Sequence, residues 1–270
     1  MEKAFYGNNP RVISLSDEVI EKANLNTIEK VYRRLFNGVS GATLTIVGNV
    51  NLETLKPLVE TYFGSLPKGK AFKANKKEII KIASGVNDKV VELEMETPKS
   101  SVVQLYSSYM PVDTKTDVAL SVASYILDMI YTKEIREKEG GTYGVGTGMF
   151  ATWSPLQRAL IQIRFDTNPE QAEKLSSIAT RLLKEFAQNG PTASEMDMAV
   201  GNLKKNLTES RISNPYWMEI FEKWNDYNVD YDTEYEKALE NITSEDIKNV
   251  LQAILSTENF IQLKSMPAAK

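Results

Sequence analysis

Histidine and cysteine are both missing from this chain of 270 residues. Without cysteine there is no disulfide, no thiolate nucleophile and no thiolate metal ligand. Without histidine, the usual ligand of catalytic zinc and the usual base beside a nucleophilic serine are gone as well. A zinc site within the chain would have to be built from carboxylates alone, so no bound metal or other cofactor is expected. Acid–base chemistry by Asp, Glu, Lys or Tyr stays open. A long apolar run is also lacking: nothing approaches the ~20 residues of a membrane span. The first ten residues, MEKAFYGNNP, lack the apolar centre of a signal peptide. A basic face is absent too, because 32 Lys and Arg are scattered among 36 Asp and Glu for a net charge of −4. Nucleic acid is therefore not an expected partner.

The composition that remains, 42% hydrophobic and 25% charged, is that of a globular protein. Asn26, with Glu29 three residues on, predicts a helix over 26–37. The β-branched run at 42–47, closed by Gly48, predicts a strand. Asn51 opens a second helix with Leu52, Leu55, Leu58, Val59, Tyr62 and Phe63 on one face and Pro57 inside it. Residues 67–88, rich in Lys and small polar side chains, form the expected linker.

A second unit follows. Val91, Leu93 and Met95 alternate with Glu92, Glu94 and Glu96, which predicts a half-buried antiparallel strand over 91–96. Further strands are expected at about 101–109, 142–151 and 158–166, and a short one at 260–264. A long helix is expected over about 115–138, with Val118, Val122, Ile126, Met129 and Ile130 inward and Gly140-Gly141 as its break. Asn168-Pro169 and the capping box Thr192-Ala-Ser-Glu195 start two more helices. Two helical stretches follow Asn214-Pro215, the second capped by Thr243 with Asp246. Strand pairs mixed with long helices, without regular βα alternation, predict an α+β fold: an antiparallel sheet covered by helices.

Four features invite a functional reading. The glycines from Gly140 to Gly148 have a helix before them and a strand after, the reverse of a phosphate cradle. Glu92, Glu94 and Glu96 fit the wet face of a strand better than a metal site. Tyr216, Trp217, Phe221, Trp224 and Tyr227 fall largely at helical spacing, which favours core packing over a ligand box. The fourth is Arg136-Glu-Lys-Glu-Gly-Gly-Thr-Tyr143. An arginine in a last helical turn complements the helix dipole, and a tyrosine opening a strand is common. Here, however, a Gly-Gly joint lies between them, so Arg136 and Tyr143 can face one cavity from two rigid elements. Arg136 could then hold a peptide carbonyl and Tyr143 could donate to a developing oxyanion.

The segment Ile135-Arg-Glu-Lys-Glu-Gly-Gly-Thr-Tyr-Gly-Val145 resembles the arginine–tyrosine motif in the C-terminal half of pitrilysin and insulinase-type zinc metallopeptidases. Leu44-Thr-Ile-Val-Gly-Asn-Val50, followed by Leu55-Lys-Pro-Leu-Val-Glu-Thr-Tyr-Phe-Gly-Ser-Leu-Pro67, resembles the strand–helix signature of the same family. The resemblance implies a protease of two similar halves, of which the N-terminal half carries H-x-x-E-H and the zinc. The C-terminal half closes the chamber without a metal of its own. Arg136 and Tyr143 would bind substrate there, Tyr143 also with a catalytic role beside the zinc half, and Gly140 and Gly141 would be the hinge. The implied partners are a zinc-bearing half or subunit and a peptide substrate, and for a bacterial chain the implied compartment is the periplasm or cell envelope. The alternative within the family is an inactive scaffold subunit. A carboxylate hydrolase acting alone has no spacing signature. The expected division is 1–66 as the incomplete end of a preceding similar domain, 67–88 as linker, and 89–270 as an α+β domain carrying the motif. Self-association through the exposed 1–66 unit is expected with it.

Overall fold

The computed structural model describes residues 2–71 and 79–268, so part of the expected linker, 72–78, lies outside the described residues. In chain order the helices are α1 (Glu2–Tyr6), α2 (Asp17–Glu21), α3 (Leu25–Leu35), α4 (Leu52–Tyr62), α5 (Thr114–Tyr131), α6 (Ala172–Asn189), α7 (Ala193–Ser210), α8 (Asn214–Tyr227), α9 (Tyr231–Asn241) and α10 (Ser244–Leu255). The strands are β1 (Val86–Leu93), β2 (Ser100–Ser108), β3 (Val145–Thr152), β4 (Arg158–Thr167) and β5 (Phe260–Pro267). The residues group into two compact units. One takes the stretch up to Val12, Ile79–Thr208 and the residues from Asp230 onward. The other takes Ile13 to Ala71 and Glu209–Val229.

The first unit is built on one five-stranded sheet of order β1-β5-β2-β4-β3. Its α+β character is the one expected, a sheet covered by helices. β2, β4, β3 and β5 pair antiparallel, but β1 lies parallel to β5, with Val86 opposite Phe260. This corrects the antiparallel assignment at 91–96. The alternating stretch is the tail of an edge strand that ends at Leu93, and Val91 and Leu93 are as open to solvent as Glu92. Alternation specifies a strand, but burial of one face depends on what is laid against it.

β2 is buried along nearly its whole length, its serines and Gln104 included, because both its faces are covered. Val102 and Tyr106 join the main core, while Leu105 packs on the other face with Ala4, Ile82, Leu160, Ile261 and Leu263. Along β4, Ala159, Ile161, Ile163 and Phe165 enter the main core, and Arg164 and Asp166 lie exposed on the opposite face. α5 fills that core with Val118, Val122 and Ile126 as expected, and also with Leu120, Leu127 and Tyr131. α6 adds Leu175, Ala179 and Leu183, and α10 adds Ile247, Leu251 and Ile254. Each Val, Leu or Ile among these stabilises by about 1.5–3 kcal/mol when fully buried.

Polar groups inside are matched only in part: among the described residues Ser100 Oγ, Gln104 Oε1, Thr147 Oγ1 and Gln171 Oε1 are buried without a hydrogen-bond partner. Gln104, 0% exposed on β2, places its amide nitrogen against the Ser176 carbonyl, the Thr180 hydroxyl and the Gln262 carbonyl at 2.8–3.0 Å. Lys264 is held by Glu173 at 2.6 Å and Asp88 at 3.5 Å. Burial alone would depress its pKa, but these two carboxylates raise it above the ordinary value. The free edge of β3 is capped from α5. The Thr147 N–H donates to Asp128 Oδ1 at 2.8 Å, and Ser124 Oγ donates to the Thr147 carbonyl at 3.0 Å. Strand addition along β3 is thereby blocked at its middle.

Helix ends follow local chemistry. The Thr192/Glu195 and Thr243/Asp246 boxes form as expected, and Asn51 caps α4, which continues through Pro57. Asn24, not Asn26, caps α3 by accepting from the Thr27 N–H. Asn168-Pro169 opens a 3-10 turn, Pro169–Gln171, before α6 begins. Beyond Ser213 there are three helices rather than two, because Asn228 in the left-handed conformation ends α8 before Asp230 caps α9.

In the second unit the expected strand at 42–47 is not formed. The segment has no ladder partner among the described residues, and Leu44 is 47% exposed. α3 and α4 bury none of their side chains. The aromatic group expected in a core is largely outside one: α8 buries Ile220, while Phe221 and Trp224 (55%) are exposed. Among the described residues no helix is long and apolar enough to cross a membrane.

Candidate functional site

The Arg136–Tyr143 segment begins where α5 stops being α-helical. Thr132–Glu137 is a π-helix that buries Ile135 and leaves Arg136 exposed in its last turn. π-turns widen the spiral and shift the direction of following side chains. Lys138 pairs with Glu134 at 2.6 Å along it.

The two glycines of the joint answer different demands. Gly140 has φ +63°, with no atom within 4 Å of where a Cβ would stand, and its N–H donates to the Arg136 carbonyl. It is needed for its backbone conformation. Gly141 has no such φ, but a Cβ there would overlap Gln171 Oε1 and crowd Leu175. It is needed for close approach to the start of α6. The joint is tied down further: Thr167 Oγ1 donates to the Gly141 carbonyl at 2.6 Å, and Lys174 of α6 pairs with Glu139. Thr142 Oγ1 then closes a tight turn, donating to the Gly144 carbonyl and accepting from the Gly144 N–H.

On this braced loop Tyr143 is 100% exposed. Among the described residues neither the Tyr143 nor the Arg136 side chain has a hydrogen-bonding or ion-pair partner. A tyrosine kept for packing would be buried, and an arginine kept for structure would be paired. Tyr143 lines an open cavity of about 320 Å³ with Thr142, Gly144, Gly146, Arg164, Phe165 and Asp166. Arg136 is not among the residues lining it. Arg164 and Asp166 went unnoticed in the sequence. Their signal was the alternation of β4, which puts both on the face away from the helices. Their closeness to the loop comes from the β3–β4 register, in which Arg164 faces Gly146.

No group of three or more carboxylates among the described residues could hold a metal ion. With no histidine or cysteine in the sequence, this chain's residues do not fit a zinc site.

The fold is a mixed five-stranded sheet with α5, α6 and α10 packed on one face, and the arginine–tyrosine joint runs between α5 and β3. The model of the peptidase M16 inactive domain matches residues 22–203, and the chain belongs to that family. In the family the zinc belongs to the catalytic half. The protein of Escherichia coli K12 named "Probable zinc protease PqqL" is 24% identical over 230 residues, covering 83% of this chain. The chain spans 24% of that curated relative's length. Two solved structures show the same fold. The peptidase M16 inactive domain from Pseudomonas fluorescens has a TM-score of 0.77 at 21% identity, over 99% of this chain and 64% of that one. The ferredoxin protease FusC, solved as an E83A mutant with Arabidopsis ferredoxin, has a TM-score of 0.77 at 17% identity, over 100% of this chain and 29% of that one.

Proposed function

We propose that this chain is the non-catalytic C-terminal half of a zinc endopeptidase, which closes the chamber and presents Tyr143 and Arg136 to a bound peptide. The observation that carries the reading is Tyr143: fully exposed and unbonded, yet standing on a loop braced by Thr167, Lys174 and the Gly141 contact. A rigid loop holding a free donor is an arrangement for a ligand. Its hydroxyl donates to the scissile carbonyl oxygen as negative charge develops there. The Arg136 guanidinium, exposed one helix end away, holds a peptide carbonyl. Hydrolysis itself belongs to the zinc-bearing half. The periplasm, where that relative works, is the compartment we assign. A scaffold subunit needs neither group.

We assign residues 1–66, apart from the stretch up to Val12 that groups with the sheet, to the end of a preceding, similar domain, and 67–88, whose last residues already run in β1, to the linker between it and the motif-bearing domain at 89–270. The partnerless segment at 43–47 and the open apolar faces of α3 and α4 support this, as does the share of the E. coli relative that this chain spans.

The test is kinetics of the chain combined with its zinc-bearing half. Tyr143→Phe should lower kcat about 10²–10³-fold. Arg136→Ala should weaken KM and kcat together, since its contact exists in ground and transition states alike. Both variants should melt like wild type. Unchanged kcat/KM in both variants would refute the assignment.

A further inference from the structure

The cavity beside Tyr143 contains a charge that the proposed function does not use. The guanidinium of Arg164, exposed on β4, makes no hydrogen bond or ion pair among the described residues. Its neighbour on the same strand face, Asp166, is already engaged: Ser101 Oγ donates to it, and Lys99 lies 3.8 Å from it. The acid of the cavity is therefore compensated and the arginine is not.

The strand opposite makes room in front of that arginine. In the β3–β4 register Gly146 faces Arg164 and Gly148 faces Gln162. Gly146 is not required by its backbone. It has no positive φ, and a Cβ there would meet only the Arg164 carbonyl oxygen, at the ordinary distance of 3.9 Å. What its missing side chain provides is the opening. Thr142, Tyr143 and Gly144 wall the cavity on the loop side. Its volume of about 320 Å³ lies at the lower end of the ~300–1,000 Å³ typical of ligand pockets, so it takes a side chain or chain end and not a folded partner.

We propose that this cavity is a specificity subsite for a carboxylate of the bound peptide, received by the Arg164 guanidinium through the gap left by Gly146. The carboxylate comes from an acidic side chain or from the peptide's C-terminus. A planar guanidinium pairs with either through two parallel N–H···O bonds. The subsite rests on the reading of Tyr143 as a peptide contact, since both residues line one cavity. Tyr143 addresses the peptide backbone, whereas Arg164 selects which peptides place a negative charge beside it.

The experiment uses the full chain and a fluorescently labelled peptide of extended sequence in four forms. These carry an internal Glu or its Gln isostere, each with a free or an amidated C-terminus, and anisotropy gives the dissociation constants. Wild type should prefer carboxylate-bearing forms by about ten-fold, the size of a charge-assisted hydrogen bond in a solvent-open site. A preference between Glu and Gln identifies the side chain, and one between acid and amide identifies the C-terminus. Arg164→Gln should erase the preference and leave the affinity of the uncharged form unchanged. Gly146→Val should weaken every form while its thermal unfolding matches wild type. Equal binding of all four forms to wild type, a preference that survives Arg164→Gln, or no binding of any form would overturn the proposal. The kinetics of Tyr143→Phe do not depend on the peptide's charge, so failure here leaves the Tyr143 reading separately testable.

Discussion

Replacing Gly140 with alanine isolates the backbone requirement of the joint between helix and loop. A Cβ at Gly140 meets no atom within 4 Å, so the substitution adds no clash with the surroundings. What it adds is an L side chain at φ +63°, which costs about 1–2 kcal/mol. Part of that is offset, because alanine also restricts the unfolded chain by about 0.4–1 kcal/mol. The net expectation is a loss of about 1 kcal/mol. In a cooperative unit of about 150–250 residues this lowers Tm by about 2–4 °C. Gly140→Asn should lose less, since asparagine tolerates the left-handed region. Gly141→Ala works differently: its Cβ overlaps Gln171 Oε1, the end of a flexible side chain, and approaches Leu175 Cδ1 at 3.1 Å. Its cost should fall when Gln171 is also shortened to alanine, with a coupling of about 0.5–3 kcal/mol between the two sites. No such coupling is expected between Gly140→Ala and Gln171→Ala. Paired thermal and urea melts of the four single and two double variants measure all of this. If Gly140→Ala melts with wild type, or Gly140→Asn is the less stable of the two, the backbone argument is wrong. If Gln171→Ala gives Gly141→Ala no relief, the contact argument is wrong.

Asp128 supplies a pH test. Burial pushes its carboxyl above the ordinary 3.8, against the Thr147 N–H that holds it down. The fold therefore favours the protonated form, and that stabilisation is complete below 3.8 and lost as pH rises through the higher folded value. Asp128→Asn, whose amide oxygen can still accept from Thr147, should gain on wild type in urea melts run from about pH 3.5 to about 7, and a constant difference across that range would contradict the assignment. Ile126→Ala removes a 0% exposed side chain from the main core. It should cost about 2–5 kcal/mol by denaturant unfolding, and a loss under about 1 kcal/mol would mean that the core is looser than described. The open apolar surface of the second unit, with Phe221 and Trp224 exposed on α8, should drive concentration-dependent association visible by sedimentation. Trp224→Glu should weaken it, and a chain that stays monomeric across the accessible range would count against this surface as the cause.

Much was decided within a few residues of the chain. Thr192 with Glu195 and Thr243 with Asp246 close reciprocal hydrogen bonds three positions apart, so the starts of α7 and α10 are local facts. The inward stripe of α5 and the Gly140-Gly141 break are local in the same sense, as is the order of helix, joint and strand that exposed the Arg136–Tyr143 motif. The absence of histidine and cysteine removed zinc chemistry from the chain before any fold was known. Tertiary structure decided whatever depends on a partner distant in sequence. The run at 42–47 has strand composition but no strand, because a strand exists only through the ladder it makes. The alternation at 91–96 could not reveal that β1 lies parallel to β5 at the sheet edge, with both faces open. That Asp128 and Ser124 cap Thr147, and that Arg164 stands opposite Gly146 beside Tyr143, follow from strand register and helix placement. Periodicity within a segment says which side chains share a face. Only the pairing of segments says what that face meets, because a shift of one residue in register exchanges every side chain between the two faces.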